Sequence, residues 1–206
     1  MTTDHGNWQK YQNPNPVQRW LLSRFLQVIE NMARTVNPQS ILDIGCAEGF
    51  VMNRLRQVIP GAQVTGLDID DEALLRGKAL GARDTCQGSV YSLPYPDDSF
   101  DLVLALEVLE HLEEPEQALD ELCRVARQFC LLSVPHEPFF RAANFLRGKH
   151  LSRWGNDPEH INHWNAREFR SFVEKFGEVV KMRNPFPWLA VLLCAHKRKA
   201  PYDPPI

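Results

Sequence analysis

The sequence has no apolar run long enough to cross a bilayer. Its longest, at 188–195, falls far short of the roughly 20 residues a spanning helix needs. It also lacks an apolar signal core at its start, which reads Met1-Thr2-Thr3-Asp4-His5-Gly6-Asn7-Trp8. Both absences lead to the expectation of a cytoplasmic protein with no transmembrane segment. Net charge is small, at −3. A basic footprint broad enough for duplex nucleic acid is therefore excluded, which leaves room only for a short nucleic acid held by a few contacts. The cysteines are Cys46, Cys86, Cys123, Cys130 and Cys194, an odd number with no C-x-x-C pair. That excludes a zinc knuckle of that spacing, argues against a disulfide scaffold and predicts reduced thiols. No internal repeat is visible.

What is present is an apolar fraction of 44%, enough for a sizeable core, arranged as alternating strand and helix patterns. An amphipathic helix is predicted over 17–36, with Trp20, Leu21, Phe25, Val28, Ile29 and Met32 near one face. Strands are predicted at 41–44, 63–68, 85–90, 100–106 and 129–134. Between them, helices are predicted at 48–59, at 71–80 closed by Gly81, and from Pro115 to about 127. Asn165 and Glu168 form a capping-box pattern for a helix through Phe176, ended by Gly177. Runs at 178–183 and 189–197 follow with no long helix between them, as in an antiparallel pair. The expectation is an α/β, doubly wound, Rossmann-like sheet with helices on both faces and an antiparallel last strand. Three stretches break the alternation: an N-terminal arm (1–16), an insertion at about 136–164, and a polar, proline-rich tail (199–206). The domain itself is expected over 17–198.

The turn Leu42-Asp43-Ile44-Gly45-Cys46-Ala47-Glu48-Gly49 joins the first of these strands to a helix. In doubly wound folds the ligand crevice lies beside such turns, where free N–H groups face outward. A dinucleotide fingerprint would read G-x-G-x-x-G; here Gly45 and Gly49 stand alone, without the central glycine. Asp68 ends the next strand, where a carboxylate can accept from both ribose hydroxyls. Next comes the run 88–103, which contains Ser89, Val90 and the strand that opens at Phe100.

With these motifs in this order over about 40–135, the chain resembles the class I S-adenosylmethionine (SAM)-dependent methyltransferases of the small-molecule group. The resemblance implies SAM as cofactor and seven strands, the last two forming a hairpin. It places Asp43, Gly45, Cys46, Ala47 and Gly49 around the methionine moiety, Asp68 on the ribose, Ile69 beside adenine, Ser89 and Val90 at the adenine edge, and Leu106 beside the sulfonium. The chain departs from the family at Ala47, where glycine is frequent, and at Ser89, where aspartate is. A serine hydroxyl accepts more weakly than a carboxylate, so a modest cofactor affinity is expected.

Methyl transfer to a hydroxyl needs alignment and removal of a proton. The segment Glu107-Val108-Leu109-Glu110-His111 follows the fourth strand. If helical, it sets Glu107, Glu110 and His111 on one face. Glu159-His160-Ile161-Asn162-His163-Trp164 comes later. The pairing is similar to ubiquinone-pathway O-methyltransferases and to enzymes that methylate the terminal ribose of small RNAs. In the latter, the matching positions Glu107, Glu110, His111 and His160 would surround a divalent metal ion. Two carboxylates with two imidazoles suit Mg, Mn, Fe or Zn. A metal-free reading, with His111 or His160 as base or orienting group beside Glu107, stays open next to it, as does a purely structural role. The segment 138–154 carries Phe139, Phe140, Phe145, Leu146 and Trp154 among Arg141, Arg147, Lys149 and Arg153. It reads as a packed cap helix with a basic face, or as a lid for an anionic or lipid-linked acceptor. Trp8, Tyr11 and Asn13 would form a second flap or be disordered. Three functions follow: methylation of a small-molecule acceptor on a hydroxyl oxygen; metal-dependent methylation of RNA ribose; or a catalytically silent SAM-binding module.

Overall fold

The structure, a computed structural model, describes residues 6–137, 139 and 160–196. Seven strands form one sheet in the order β3-β2-β1-β4-β5-β7-β6. They are β1 (Ser40–Ile44), β2 (Gln63–Asp68), β3 (Thr85–Gln87), β4 (Phe100–Leu106), β5 (Ala126–Pro135), β6 (Gly177–Arg183) and β7 (Trp188–Ala195). The first five are parallel, and β7 runs antiparallel to both β5 and β6. The helices are α1 (Gly6–Gln12), α2 (Pro16–Val36), α3 (Phe50–Val58), α4 (Asp71–Ala79), α5 (Pro115–Val125) and α6 (Ala166–Val173).

The central strands show why the sheet is covered twice. Successive side chains point to opposite faces of a strand. In β4, Leu102 and Leu104 enter the core that holds Phe25, Ile29 and Met32 of α2 and Met52 and Leu55 of α3. Val103 and Ala105 enter the opposite core, with Leu119 and Leu122 of α5 and Phe169 of α6. Leu131 and Leu132 of β5 divide in the same way. A near-continuous apolar run is what a strand buried on both sides requires.

Several expected boundaries shift for local reasons. On α2 the buried residues are Leu22, Phe25, Leu26, Ile29, Met32 and Ala33, whereas Trp20 is 56% exposed and stacks with the Arg24 guanidinium. The apolar stripe is therefore rotated away from Trp20. β3 stops at Gln87, short of the expected Val90. α5 ends at Val125 because β5 begins at the next residue. The capping box of α6 forms in full, with Asn165 Oδ1 accepting from the Glu168 N–H and the Glu168 carboxylate accepting from the Asn165 N–H. Yet α6 stops at Val173, and Gly177 opens β6 instead of ending the helix. A Cβ at Gly177 would stand 2.2 Å from the Cys194 carbonyl oxygen, so the strand approach there needs glycine.

Part of the expected N-terminal arm is helical: α1 lies against α3, with Tyr11 stacked on Phe50 at 4.3 Å. Most of the expected cap, at 138 and 140–159, lies outside the described residues, as does the tail 199–206. No helix among the described residues is long and apolar enough to cross a membrane.

Candidate cofactor and acceptor site

The carboxyl ends of β1, β2, β3 and β4 meet where the strand order reverses, between β1 and β4. This is the position at which open α/β sheets bind ligands. The turn after β1 hangs from β2: the Gly45 and Cys46 N–H groups donate to the Leu67 carbonyl at 2.8 and 3.3 Å. Gly45 sits at φ +71°, and a Cβ there would meet Val108 Cγ2 at 2.5 Å. Both facts require glycine. Ala47 also adopts a left-handed conformation, at φ +44°, which accounts for the family's use of glycine at that position.

Asp68 is only 9% exposed, and its carboxylate is fixed from two sides. Oδ2 accepts from the Ala47 N–H at 2.7 Å, and Oδ1 from the Asp70 N–H at 2.9 Å. Each oxygen keeps a further lone-pair direction free of these two bonds. Beyond Asp68 stands Ile69, 73% exposed, an apolar side chain with an uncovered face. The register Asp68↔Gln87 puts Ile69 and residues 88–90 just past the ends of neighbouring strands. Ser89 Oγ accepts from the Tyr91 N–H at 3.3 Å, and Val90 packs at the margin of the core.

Asp43, Gly45, Cys46, Ala47, Glu48, Phe50, Leu106 and Glu107 line one cavity, closed by Lys10 and Tyr11 of α1. Asp43 is buried, and its Oδ2 meets no hydrogen-bond donor among the described residues. Burial, with Asp68 adding repulsion, pushes its carboxyl up to about 7. Burial also pushes the Cys46 thiol up, which makes it a packing residue and not a nucleophile. Glu48 is buried against Arg76 of α4 at 3.0 Å, tying the turn to the neighbouring helix.

Past β4 the chain does not form the helix that would set Glu107, Glu110 and His111 on one face. Glu107 takes a left-handed φ of +56°, its N–H donates to the Ser133 carbonyl, and only Leu109–His111 make a 3-10 turn. Glu107 consequently faces the cavity and pairs with Lys10. Glu110, His111 and His160 do converge, with ligand atoms all within 4.8 Å of one another. The two imidazoles meet edge to face at 5.0 Å. Glu110 is completely buried, and neither carboxylate oxygen has a hydrogen-bond partner among the described residues. Burial, then the Glu107 charge, raises its pKa well above the usual carboxylate range.

His160 is brought there by a backbone clamp. The Ile161 and Asn162 N–H groups donate to the Glu110 carbonyl at 2.8 and 3.0 Å. The Asn162 amide donates to the Leu109 and Leu112 carbonyls at 3.1 and 2.6 Å. On its other side, the Glu137 N–H donates to the Trp164 carbonyl, and Glu137 faces His163 at 3.7 Å. Lys10, Glu48 and Asn162 are not legible as site residues: each acts through a partner distant in sequence, and although Glu48 lies in the turn 42–49 and Asn162 in the segment 159–164, nothing in those segments singles them out.

The fold and this cleft together define a nucleotide-cofactor domain. A family model described as a methyltransferase domain matches residues 42–132. An uncharacterized methyltransferase of Schizosaccharomyces pombe is 37% identical over 42% of this chain and 36% of its own length. A probable S-adenosylmethionine-dependent methyltransferase of Mycolicibacterium smegmatis is 30% identical over 73% of this chain and 56% of its own. The chain thus spans about a third to just over half of the length of these two curated relatives. Among solved structures, the magnesium protoporphyrin IX methyltransferase of Synechocystis, crystallised with bound SAH, superposes with a TM-score of 0.68. The two share 16% identity, over 92% of this chain and 94% of that one. Over residues 42–132 in sequence, and in its fold, the chain is similar to the class I SAM-dependent methyltransferases, whose cofactor is S-adenosylmethionine.

Proposed function

We propose that the chain transfers the methyl group of SAM to a hydroxyl oxygen of a small-molecule acceptor. The observation that carries this reading is the cluster directly past β4. An exposed His111 meets His160 beside a buried Glu110 carboxylate that has no hydrogen-bond donor among the described residues. A sulfonium methyl needs no activation by the protein. What a hydroxyl acceptor needs is a base within reach and a fixed line of approach. His111 is the group placed to take the proton, and His160 holds its ring in place. Asp43, the turn Gly45–Gly49 with Cys46 and Ala47, Asp68, Ile69, Ser89, Val90 and Leu106 hold the cofactor.

Radiolabelled methyl transfer into hydroxyl, amine and carboxylate acceptors tests the oxygen assignment. Product found only with amines would refute it. His111→Ala should lower kcat by about 10²–10⁴-fold, the range of a lost general base.

The same cluster supports a metal-assisted version. A buried carboxylate without donors among the described residues, next to two imidazoles, is a fitting donor set for a divalent cation. Glu110, His111 and His160 would hold it, while Glu107 is engaged by Lys10. Such an ion would lower the pKa of an acceptor hydroxyl bound to it. Metal content measured on the purified protein, before and after chelation and in Glu110→Ala, tests this. No bound metal at stoichiometric level in wild type would count against it.

A further inference from the structure

α2 turns one side to the sheet and leaves the other to solvent. Leu22, Leu26 and Ile29 are buried on the inner side. Trp20 lies two residues before Leu22, about 200° round an α-helix, and so stands on the outer side, 56% exposed. Val17, about one turn earlier, is 63% exposed. The Arg24 guanidinium lies 5.0 Å over the Trp20 ring. Arg19, Arg24 and Arg34 are all exposed, and they extend along about 22 Å of helix at about 1.5 Å per residue. The single carboxylate of α2, Glu30, is buried and pairs with Arg54. The outer side of α2 is therefore cationic along its length, with two apolar side chains at its amino end.

The rest of the molecule is charged the other way. Net charge is −3. Across the sheet from α2, α5 and the residues just before it expose Glu113, Glu114, Glu116 and Asp120. An uneven charge of this kind orients a protein on a surface of opposite sign. Position adds to charge. α2 follows α1, which closes the cofactor cavity, and Phe25 of α2 lines that cavity. Val17 and Trp20 thus stand at the end of α2 nearest the cleft.

We propose that the outer face of α2 docks on an anionic lipid surface. Trp20 and Val17 enter the headgroup layer, and Arg19, Arg24 and Arg34 meet lipid phosphates. Two exposed apolar side chains are far fewer than the roughly 20–30 residues a side that a stable protein interface uses. A headgroup layer asks for less, namely spaced cations and a shallow aromatic anchor. Docked this way, the chain lies on the bilayer without crossing it, with the cleft end of α2 at the lipid and the acidic face of α5 turned to water. The inference does not depend on which acceptor the cleft serves.

Co-sedimentation of the full chain with vesicles tests this. At low salt the chain should pellet with phosphatidylcholine vesicles that contain phosphatidylglycerol. It should stay in solution with phosphatidylcholine alone, and added salt should release it. Arg19→Gln with Arg24→Gln should weaken binding by about tenfold or more, since one basic residue near such a surface contributes about fivefold. Arg19→Lys with Arg24→Lys keeps the charge and should keep most of the binding. Trp20→Ser should weaken it as well. Arg170→Gln, exposed on α6 across the sheet, should leave it unchanged. Thermal melts of the variants separate a lost contact from a lost fold. No pelleting with either vesicle, equal pelleting with both, or an equal loss in Arg170→Gln would overturn the proposal. So would a dimer in solution that Trp20→Ser disrupts, or a short RNA whose binding the double glutamine variant abolishes. Those two results would give the face to a second copy of the chain or to a nucleic acid.

Discussion

Asp68→Ala is the most informative single change in the cofactor cleft. The carboxylate makes two bonds within the protein, to the Ala47 and Asp70 N–H groups, and its remaining lone pairs are the ones proposed to receive a ribose diol. Hydrogen bonds to a charged group contribute about 1.5–3 kcal/mol each, and two bonds to one carboxylate do not add in full. The variant should therefore lose about 2–4 kcal/mol of SAM binding, or about 30- to 1,000-fold in Kd. Stability should fall too, by about 1–3 kcal/mol, because two N–H groups lose their acceptor. Asp68→Asn should not rescue it: both oxygens accept from backbone N–H groups, so an amide must turn its NH₂ against one of them. Calorimetry separates the effects when each Kd is measured well below the variant's own Tm. The decisive arm uses a 2′,3′-dideoxy analogue of S-adenosylhomocysteine, which wild type should bind far more weakly than the parent. Against that analogue, Asp68→Ala should cost little further. An equal loss with parent and analogue would show that Asp68 shapes the turn but does not hold the ribose.

Other consequences follow from the same geometry. Gly45→Ala should destabilise by about 2–4 kcal/mol, from a left-handed backbone plus a Cβ 2.5 Å from Val108 Cγ2. Adding Val108→Ala should recover the steric part, and thermal melts of the two variants check both values. Asp43, raised to about 7, is largely neutral below that pH, and a cofactor cation favours its ionised form. SAM affinity should therefore rise with pH up to about 7, by at most about tenfold per unit, and then level off; Asp43→Asn should flatten the profile. In the unliganded protein the raised carboxyl works in the opposite sense, so stability should fall as pH climbs from the ordinary carboxylate range towards 7, as urea melts would show. Asn162→Ala should lower kcat at unchanged SAM affinity and cost about 1–2 kcal/mol of stability, since its amide holds the His160 loop to the 3-10 turn.

The parts legible in the sequence are those whose physics is local. β1, β2 and β4 are short apolar runs bounded by turn residues, and their burial on both faces explains that composition. The Asn165–Glu168 capping box reads directly because both partners lie within four residues. Asp68 and the turn around Gly45 stand out in the sequence through their order along the chain. Trp20 was misplaced because periodicity on a long helix fixes the stripe only to within part of a turn, and an arginine one turn away offered its ring a surface partner. Glu107 was misplaced because a left-handed residue between β4 and the 3-10 turn breaks the helical spacing that E-x-x-E-H suggests. Lys10 carries no local signal; its position is set by Glu107, Trp188 and Phe25, on three elements that only the folded sheet brings together.

The central claim is a SAM cleft whose reactive end opens onto a histidine pair that serves a hydroxyl. Single-turnover transfer of a radiolabelled methyl from SAM, in wild type and in His111→Ala, tests it most directly. We predict a labelled ether from hydroxyl acceptors in wild type, and in His111→Ala a rate lower by about 10²–10⁴-fold at unchanged SAM affinity. Equal rates in the two proteins, or label recovered only on nitrogen, would contradict it.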